Sequence, residues 1–217
     1  MFGLGHGDVG FFDRIAPLYD AVMPPASPAD LRAGLAFAHR PVERVVDLGG
    51  GTGRVARALG RVGVEATVVD YSRGMLRRAA ADGFPVVRGD AARLPVSDGG
   101  VDAVVVADAL HHFPDPEAAL GEAARALAPG GVVVVREFDP GTRRGRALAR
   151  TESIAGMNSR FLSPESVTAT LDDAGLRSHV VDPGFGYTVV GVKPTDAPDA
   201  TDATDEVAGD ADAERGR

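Results

Sequence analysis

Between residues 42 and 192, short continuous Val-rich runs alternate with segments of helical spacing. A run such as Val104-Val105-Val106 lacks the every-second-residue polarity of a strand with one wet face, so both of its faces need cover. Helices lying between such strands supply that cover and call for a parallel sheet. Strands are expected at residues 42–48, 64–70, 86–88, 101–108, 131–137, 178–181 and 186–192, and helices at 54–59, 72–81 with Ser72 as N-cap, 116–127 and 163–174. The last two strands are separated by Asp182-Pro183-Gly184, close enough for an antiparallel hairpin. The fold class predicted is α/β: a doubly wound, Rossmann-like seven-stranded sheet, mostly parallel with the last strand antiparallel.

Two segments stand outside the alternation. Phe11, Phe12, Ile15, Leu18, Tyr19 and Val22 fall at helical spacing before Pro24-Pro25, so residues 1–40 are read as an N-terminal helical lid, with a plain packing helix as the other reading. Residues 139–162 carry Arg143, Arg144, Arg146, Arg150 and Arg160 against Asp139 and Glu152. Either they cap a substrate beside the sheet's ligand crevice, or they form a solvated helix face.

Composition narrows the class. With 44% hydrophobic and 25% charged residues the chain has the balance of a globular protein. No apolar run reaches the roughly 18 residues of a membrane span, and residues 1–10 lack a basic-then-apolar leader. No cysteine is present, which removes disulfides, thiolate nucleophiles and Cys-based metal sites and makes a cytoplasmic location the expectation. Of the net charge of −8, residues 195–217 carry eight acids against Arg215 and Arg217. Residues 194–217 are therefore read as a disordered acidic tail, serving solubility or a partner, and residues 41–193 as the functional domain.

The stretch Val45-Val46-Asp47-Leu48-Gly49-Gly50-Gly51-Thr52-Gly53-Arg54 runs a strand into glycines and then a helix, which lets backbone approach a ligand closely. Gly51, Gly53 and Ala56 fit a nucleotide-binding fingerprint, with Asp70 at the end of the next strand where a ribose-binding acid belongs. Charge separates the candidate ligands. Asp47, Asp70, Asp90 and Asp108 stand at or just past the ends of the first four strands. A pyrophosphate there meets like charges, each worth up to about 4 kcal/mol at ~4 Å with an effective dielectric near ~20. S-adenosylmethionine, with a sulfonium, an ammonium, a ribose diol and one carboxylate, does not.

Four motifs in order carry a family resemblance: the glycine stretch above, Val69-Asp70-Tyr71-Ser72, Gly89-Asp90-Ala91-Ala92-Arg93-Leu94-Pro95, and Asp108-Ala109-Leu110-His111-His112-Phe113, completed by Leu127-Ala128-Pro129-Gly130-Gly131. Over residues 10–192 the chain resembles the class I S-adenosylmethionine-dependent methyltransferases, in the small-molecule group similar to ubiquinone and menaquinone biosynthesis enzymes. The resemblance implies S-adenosyl-L-methionine as cofactor and a small-molecule methyl acceptor. It assigns Asp47, Gly49, Gly51 and Gly53 to the methionine end, Asp70 to the ribose hydroxyls, Tyr71, Asp90 and Ala91 to the adenine, Asp108 with Ala109 to the border of the methyl group, and Tyr19 to closure over the cofactor. Asp90 is also simple turn chemistry in Gly-Asp.

Methyl transfer needs alignment above all. Where an acceptor must lose a proton, His111 or His112 is the candidate base; both also fit structural roles. The remaining histidines, His6, His39 and His179, are scattered singly, and no metal is expected. The segment Phe12-Asp13-Arg14-Ile15-Ala16-Pro17-Leu18-Tyr19-Asp20 is similar to the opening of quinone-methylating enzymes. Past strand four those enzymes carry a Gly-x-Arg-Asn-Val type sequence in place of this chain's Ala109-Leu110-His111-His112-Phe113, so quinone specificity does not follow from the resemblance. A nucleic-acid substrate is disfavoured, since no strongly basic domain is present. The alternatives left open are an NAD-dependent oxidoreductase and a non-catalytic S-adenosylmethionine-binding protein.

Overall fold

A computed structural model describes residues 8–195; His6 and nearly all of the expected acidic tail lie outside the described residues. The strands β1 (Val45–Leu48), β2 (Ala66–Asp70), β3 (Val86–Arg88), β4 (Val101–Ala107), β5 (Leu127–Phe138), β6 (Arg177–Asp182) and β7 (Gly186–Val192) form one sheet in the order β3-β2-β1-β4-β5-β7-β6. Pairings within β3-β2-β1-β4-β5 are parallel, and β7 runs antiparallel to both β5 and β6. The order reverses between β1 and β4, and a sheet of this kind opens its ligand crevice at the carboxyl ends of the strands on either side of that switch.

Alternation within each strand sorts the core onto two faces. Val46, Leu48, Val104, Val106, Val133 and Val135 pack with Leu120 and Ala123 of α5 (Pro116–Ala126) and with Val167 and Leu171 of α7 (Pro164–Asp173). Val45, Val105, Val132, Val134 and Val190 pack with Leu31 and Leu35 of α2 (Pro28–Leu35), Val55 and Leu59 of α3 (Arg54–Gly60), and Leu76 and Ala79 of α4 (Arg73–Ala81). Each such Val or Leu contributes about 1.5–3 kcal/mol on burial, which is why the central strands are Val-rich from end to end.

Helix starts follow local chemistry. Ser72 accepts the Met75 N–H, and Ser27, Asp115, Thr142 and Ser163 cap α2, α5, α6 (Arg143–Ile154) and α7 in the same way. The chain's single lysine, Lys193, donates to the Ala124 and Leu127 carbonyls at 3.0 and 2.8 Å, closing the end of α5 with a cation. Below the sheet, Asp102 is buried among Arg40 Nε at 2.9 Å, Arg44 Nη2 at 3.0 Å and the Glu43 and Arg44 N–H groups. Burial opposes its charge, but the Arg44 guanidinium and the backbone donors outweigh it and hold the carboxyl at about 2.

The architecture departs from the sequence reading at strand ends and adds helices inside the two segments outside the alternation. Pro28–Leu35 form α2 within the segment read as helical, Arg143–Ile154 form α6 in line with the helix-face reading of residues 139–162, and β5 starts at Leu127 rather than at residue 131. Strand β1 also starts later than expected, because residues 43 and 44 are engaged by Asp102 through their N–H groups.

Candidate functional site

A cleft of about 340 Å³ opens over the carboxyl ends of β1, β2 and β4 and is roofed by α1 (Val9–Val22). Its floor is the turn from β1 into α3. Gly51 there has φ +57°, a left-handed conformation that favours glycine, and the nearest atom to a Cβ built on it is Met75 Sδ at 3.9 Å. The space above that turn is thus open on the cleft side.

Asp70, at the end of β2, accepts the Gly51 N–H through Oδ2 at 2.9 Å and the Ser72 N–H through Oδ1 at 2.7 Å. Burial raises its pKa against the pull of these donors. A carboxylate oxygen accepts more than one hydrogen bond, so both oxygens keep capacity for a vicinal diol at the cleft wall. Tyr71 follows, its ring backed by the Arg88 guanidinium at 4.5 Å, which stiffens a flat surface for a base. Asp90 and Ala91 line the same end, and Asp90 also accepts the Ala92 N–H at 3.0 Å, so its turn role and its place in the cleft coexist. Asp108, past β4, has φ +53°, the single positive φ outside glycine among the described residues. Strain of this type concentrates where a side chain must be aimed; here it brings Asp108 to Arg54 at 3.2 Å. Tyr19 hangs from α1 with the Arg54 guanidinium 6.0 Å from its ring centre.

Several expected site residues sit elsewhere. Asp47 is not at the cleft surface. It is buried beneath the glycine turn, accepts the Ala56 N–H at 3.1 Å, and occupies the place a Cβ on Gly50 would need. Burial lifts its pKa to about 7, with Asp70 adding to the rise and Ala56 and Arg54 opposing it. Gly53 turns the chain into α3 against the Phe84 ring rather than facing the cleft. Gly49 and Gly51 line it.

The two histidines separate. His112 lines the cleft, edge-on to Phe12 at 4.8 Å, with Nδ1 3.0 Å from Asp8 Oδ2. Burial and the neighbouring His111 lower its pKa, which favours the neutral ring. His111 is absent from the cleft surface: it is 3% exposed, stacked on Phe161, with Nδ1 2.7 Å from Glu137 Oε2. Burial opposes its charge, yet Glu137 and Glu152 carry its pKa up to about 10.

The sequence reading missed the ties on α1 and the cations. Asp13 of α1 accepts from Ser72 Oγ and Gly74 N at 2.6 and 2.7 Å, Asp20 accepts from Thr52 Oγ1, and Asp8 accepts the Asn158 N–H at 2.9 Å. Helical acids about two turns apart gave no signal, because their partners are distant in sequence. Arg54 and Arg136 both line the cleft, paired to Asp108 and Asp30, so the rim is less negative than the four acids alone suggested. None of residues 139–162 lines it, so α6 stands beside the cleft rather than over it. The expectation of no metal rested on sequence spacing; the fold brings Glu152 to His111 and His112.

Residues 46–135 match the family described as methyltransferase domain. The chain is 34% identical over 157 residues to a demethylmenaquinone methyltransferase of Mycolicibacterium paratuberculosis, covering 67% of this chain and 68% of that one. It is 32% identical over 197 residues to a demethylmenaquinone methyltransferase of Mycobacterium sp. strain KMS, covering 83% and 86%. Among solved structures, a SAM-dependent methyltransferase from Thermotoga maritima aligns with a TM-score of 0.67 at 23% identity over 88% of this chain and 100% of that one, a likeness of fold.

Proposed function

The chain belongs to the class I S-adenosylmethionine-dependent methyltransferases, and from that premise we propose that it methylates a flat, reduced quinone-like acceptor entering beneath α1. The observation that carries the acceptor reading is the make-up of the cleft: beyond Asp108 its wall is Phe12, His112, Phe113 and Phe138, an aromatic enclosure suited to a planar ring. The relatives named for demethylmenaquinone support the same acceptor class.

The residues present fit the cofactor, with open space above Gly51 and spare acceptor capacity on Asp70. When bound, S-adenosylmethionine supplies a methyl group on positively charged sulfur. Asp70 would hold the ribose diol, Tyr71, Ala91 and Asp90 would hold the adenine, and Asp108 would lie toward the sulfur end, all five lining the cleft. Asp47 supports the glycine turn from below. Tyr19 and Phe12 exclude water from above, which strengthens the polar contacts inside.

His112 takes the proton of an acceptor hydroxyl in its neutral form, with Asp8 fixing the ring. His111 acts behind it as a positioning residue. The test is incubation with methyl-labelled S-adenosylmethionine and a reduced demethylated naphthoquinone, alongside a panel of small amines. Label in the naphthoquinone product supports the reading; label confined to an amine defeats it.

A further inference from the structure

We infer that the far end of the cleft is an anion-reading subsite: Arg136 takes a carboxylate carried by the planar acceptor, so the substrate class is a hydroxylated aromatic acid. The inference rests on the acceptor reading above and narrows it.

Sheet order sets β2, β1, β4 and β5 side by side, so the carboxyl ends of β2 and β5 stand three strand spacings apart, about 14 Å. Asp70 ends β2, whereas Arg136 lies near the end of β5, in register with Ala107, its carbonyl accepting the Asp108 N–H at 3.0 Å. The guanidinium therefore belongs to the side of the cleft beyond Asp108, away from Asp70. Arg136 falls on the strand face of Val132 and Val134, two and four residues before it, and this face turns it toward α2. The cleft wall around that cation is apolar, with Pro24, Pro25, Leu31 and Phe138.

Nη1 of Arg136 donates to Asp30 Oδ2 at 2.8 Å, and among the described residues this is its one side-chain hydrogen bond. A guanidinium carries its N–H donors in a planar fork, so those on Nη2 and Nε remain for a ligand. Asp30 does not use up the cation: the Arg136 and Asp30 side chains are 34% and 49% exposed, and an ion pair so open to solvent is weak. Arg54, the other cation lining the cleft, is committed; its side chain is 11% exposed, faces Asp108 at 3.2 Å and lies against the Tyr19 ring. Asp108 is thereby answered, and the positive charge left for a ligand is that of Arg136. Seating a neutral ring against this wall strips water from the remaining donors and returns nothing, whereas a carboxylate pairs with two of them at once.

The test uses the whole chain saturated with S-adenosylhomocysteine and two probes that differ by one group, a dihydroxynaphthoate and the matching dihydroxynaphthalene, titrated anaerobically in a calorimeter. The acid should bind about 10-fold or more tighter than the diol. Arg136→Leu should bring the two affinities within about 2-fold while S-adenosylhomocysteine affinity stays that of wild type. Asp30→Asn removes the competing carboxylate and should tighten the acid while leaving the diol unchanged, an effect that loss of a merely structural ion pair does not produce. If circular dichroism shows Arg136→Leu unfolded, Asp30→Asn decides alone. Equal binding of the two probes by wild type, binding of neither, a preference for the acid that survives Arg136→Leu, or loss of S-adenosylhomocysteine affinity in the folded variant would overturn the inference. Labelled methyl donor separates it from the reading it rests on: label in the diol with no preference for the acid sinks the subsite alone, and Arg136-dependent binding of the acid with label confined to an amine sinks the acceptor reading alone.

Discussion

Asp70 spends part of its hydrogen-bonding capacity on Gly51 and Ser72, so its removal loosens the glycine turn as well as the ribose contact. Asp70→Ala should weaken S-adenosylmethionine binding by about 10- to 100-fold, from a loss of about 1.4–2.8 kcal/mol; calorimetric titration measures it, and unchanged affinity would remove Asp70 from the ribose. For His112 the sign follows from its lowered pKa. A base must be neutral, so the acid limb of kcat should lie below pH 6.5, and His112→Gln should lower kcat by about 10²- to 10⁴-fold while erasing that limb. A variant with the limb intact would exclude the ring as base. Asp70, Tyr71, Asp90 and Asp108 were legible in sequence because each ends or closely follows one of the parallel strands β2, β3 and β4. Asp47 belongs to the same motif, but one residue of strand phase points it under the turn, which a motif cannot distinguish from contact. Arg54 gave no signal, since a cation opening a helix ordinarily faces water.

At the level of elements, α1 is held by side-chain acids rather than by apolar burial: Ala16 is its sole fully buried apolar residue among those described. Such a helix opens at low free-energy cost. Asp13→Ala, which deletes the contacts to Ser72 and Gly74, should speed proteolytic cleavage within α1 several-fold and raise the KM for the cofactor, with α5 and α7 unaffected; uniform protection would mean that α1 is fixed by other contacts. The apolar spacing of α1 was visible in sequence, whereas its function as a roof depended on partners from 32 to 150 residues away. Helix α6 was left between two readings for a different reason. Four arginines and one buried glycine leave it without an apolar stripe, and only the Thr142 cap marks its start.

Across the whole molecule, the strands' Val content determined the sheet, and the order of the motifs along the chain placed the cleft at the β1/β4 switch. Stability rests partly at the opposite end, on Asp102. Its pKa is depressed from 3.8 to about 2, so its contribution is complete above the ordinary carboxylate range and is lost as pH falls through about 2. Asp102→Asn should cost about 2 kcal/mol in urea unfolding at pH 7, with the gap to wild type closing on acidification below pH 4; a gap independent of pH would assign the loss to packing. That the glycine turn and its acids select a sulfonium donor is tested most directly by dialysing the whole chain against equal concentrations of S-adenosylmethionine and NAD. Retention of one S-adenosylmethionine per chain, with NAD passing freely, is the predicted result; retention of NAD with S-adenosylmethionine left in solution would contradict it.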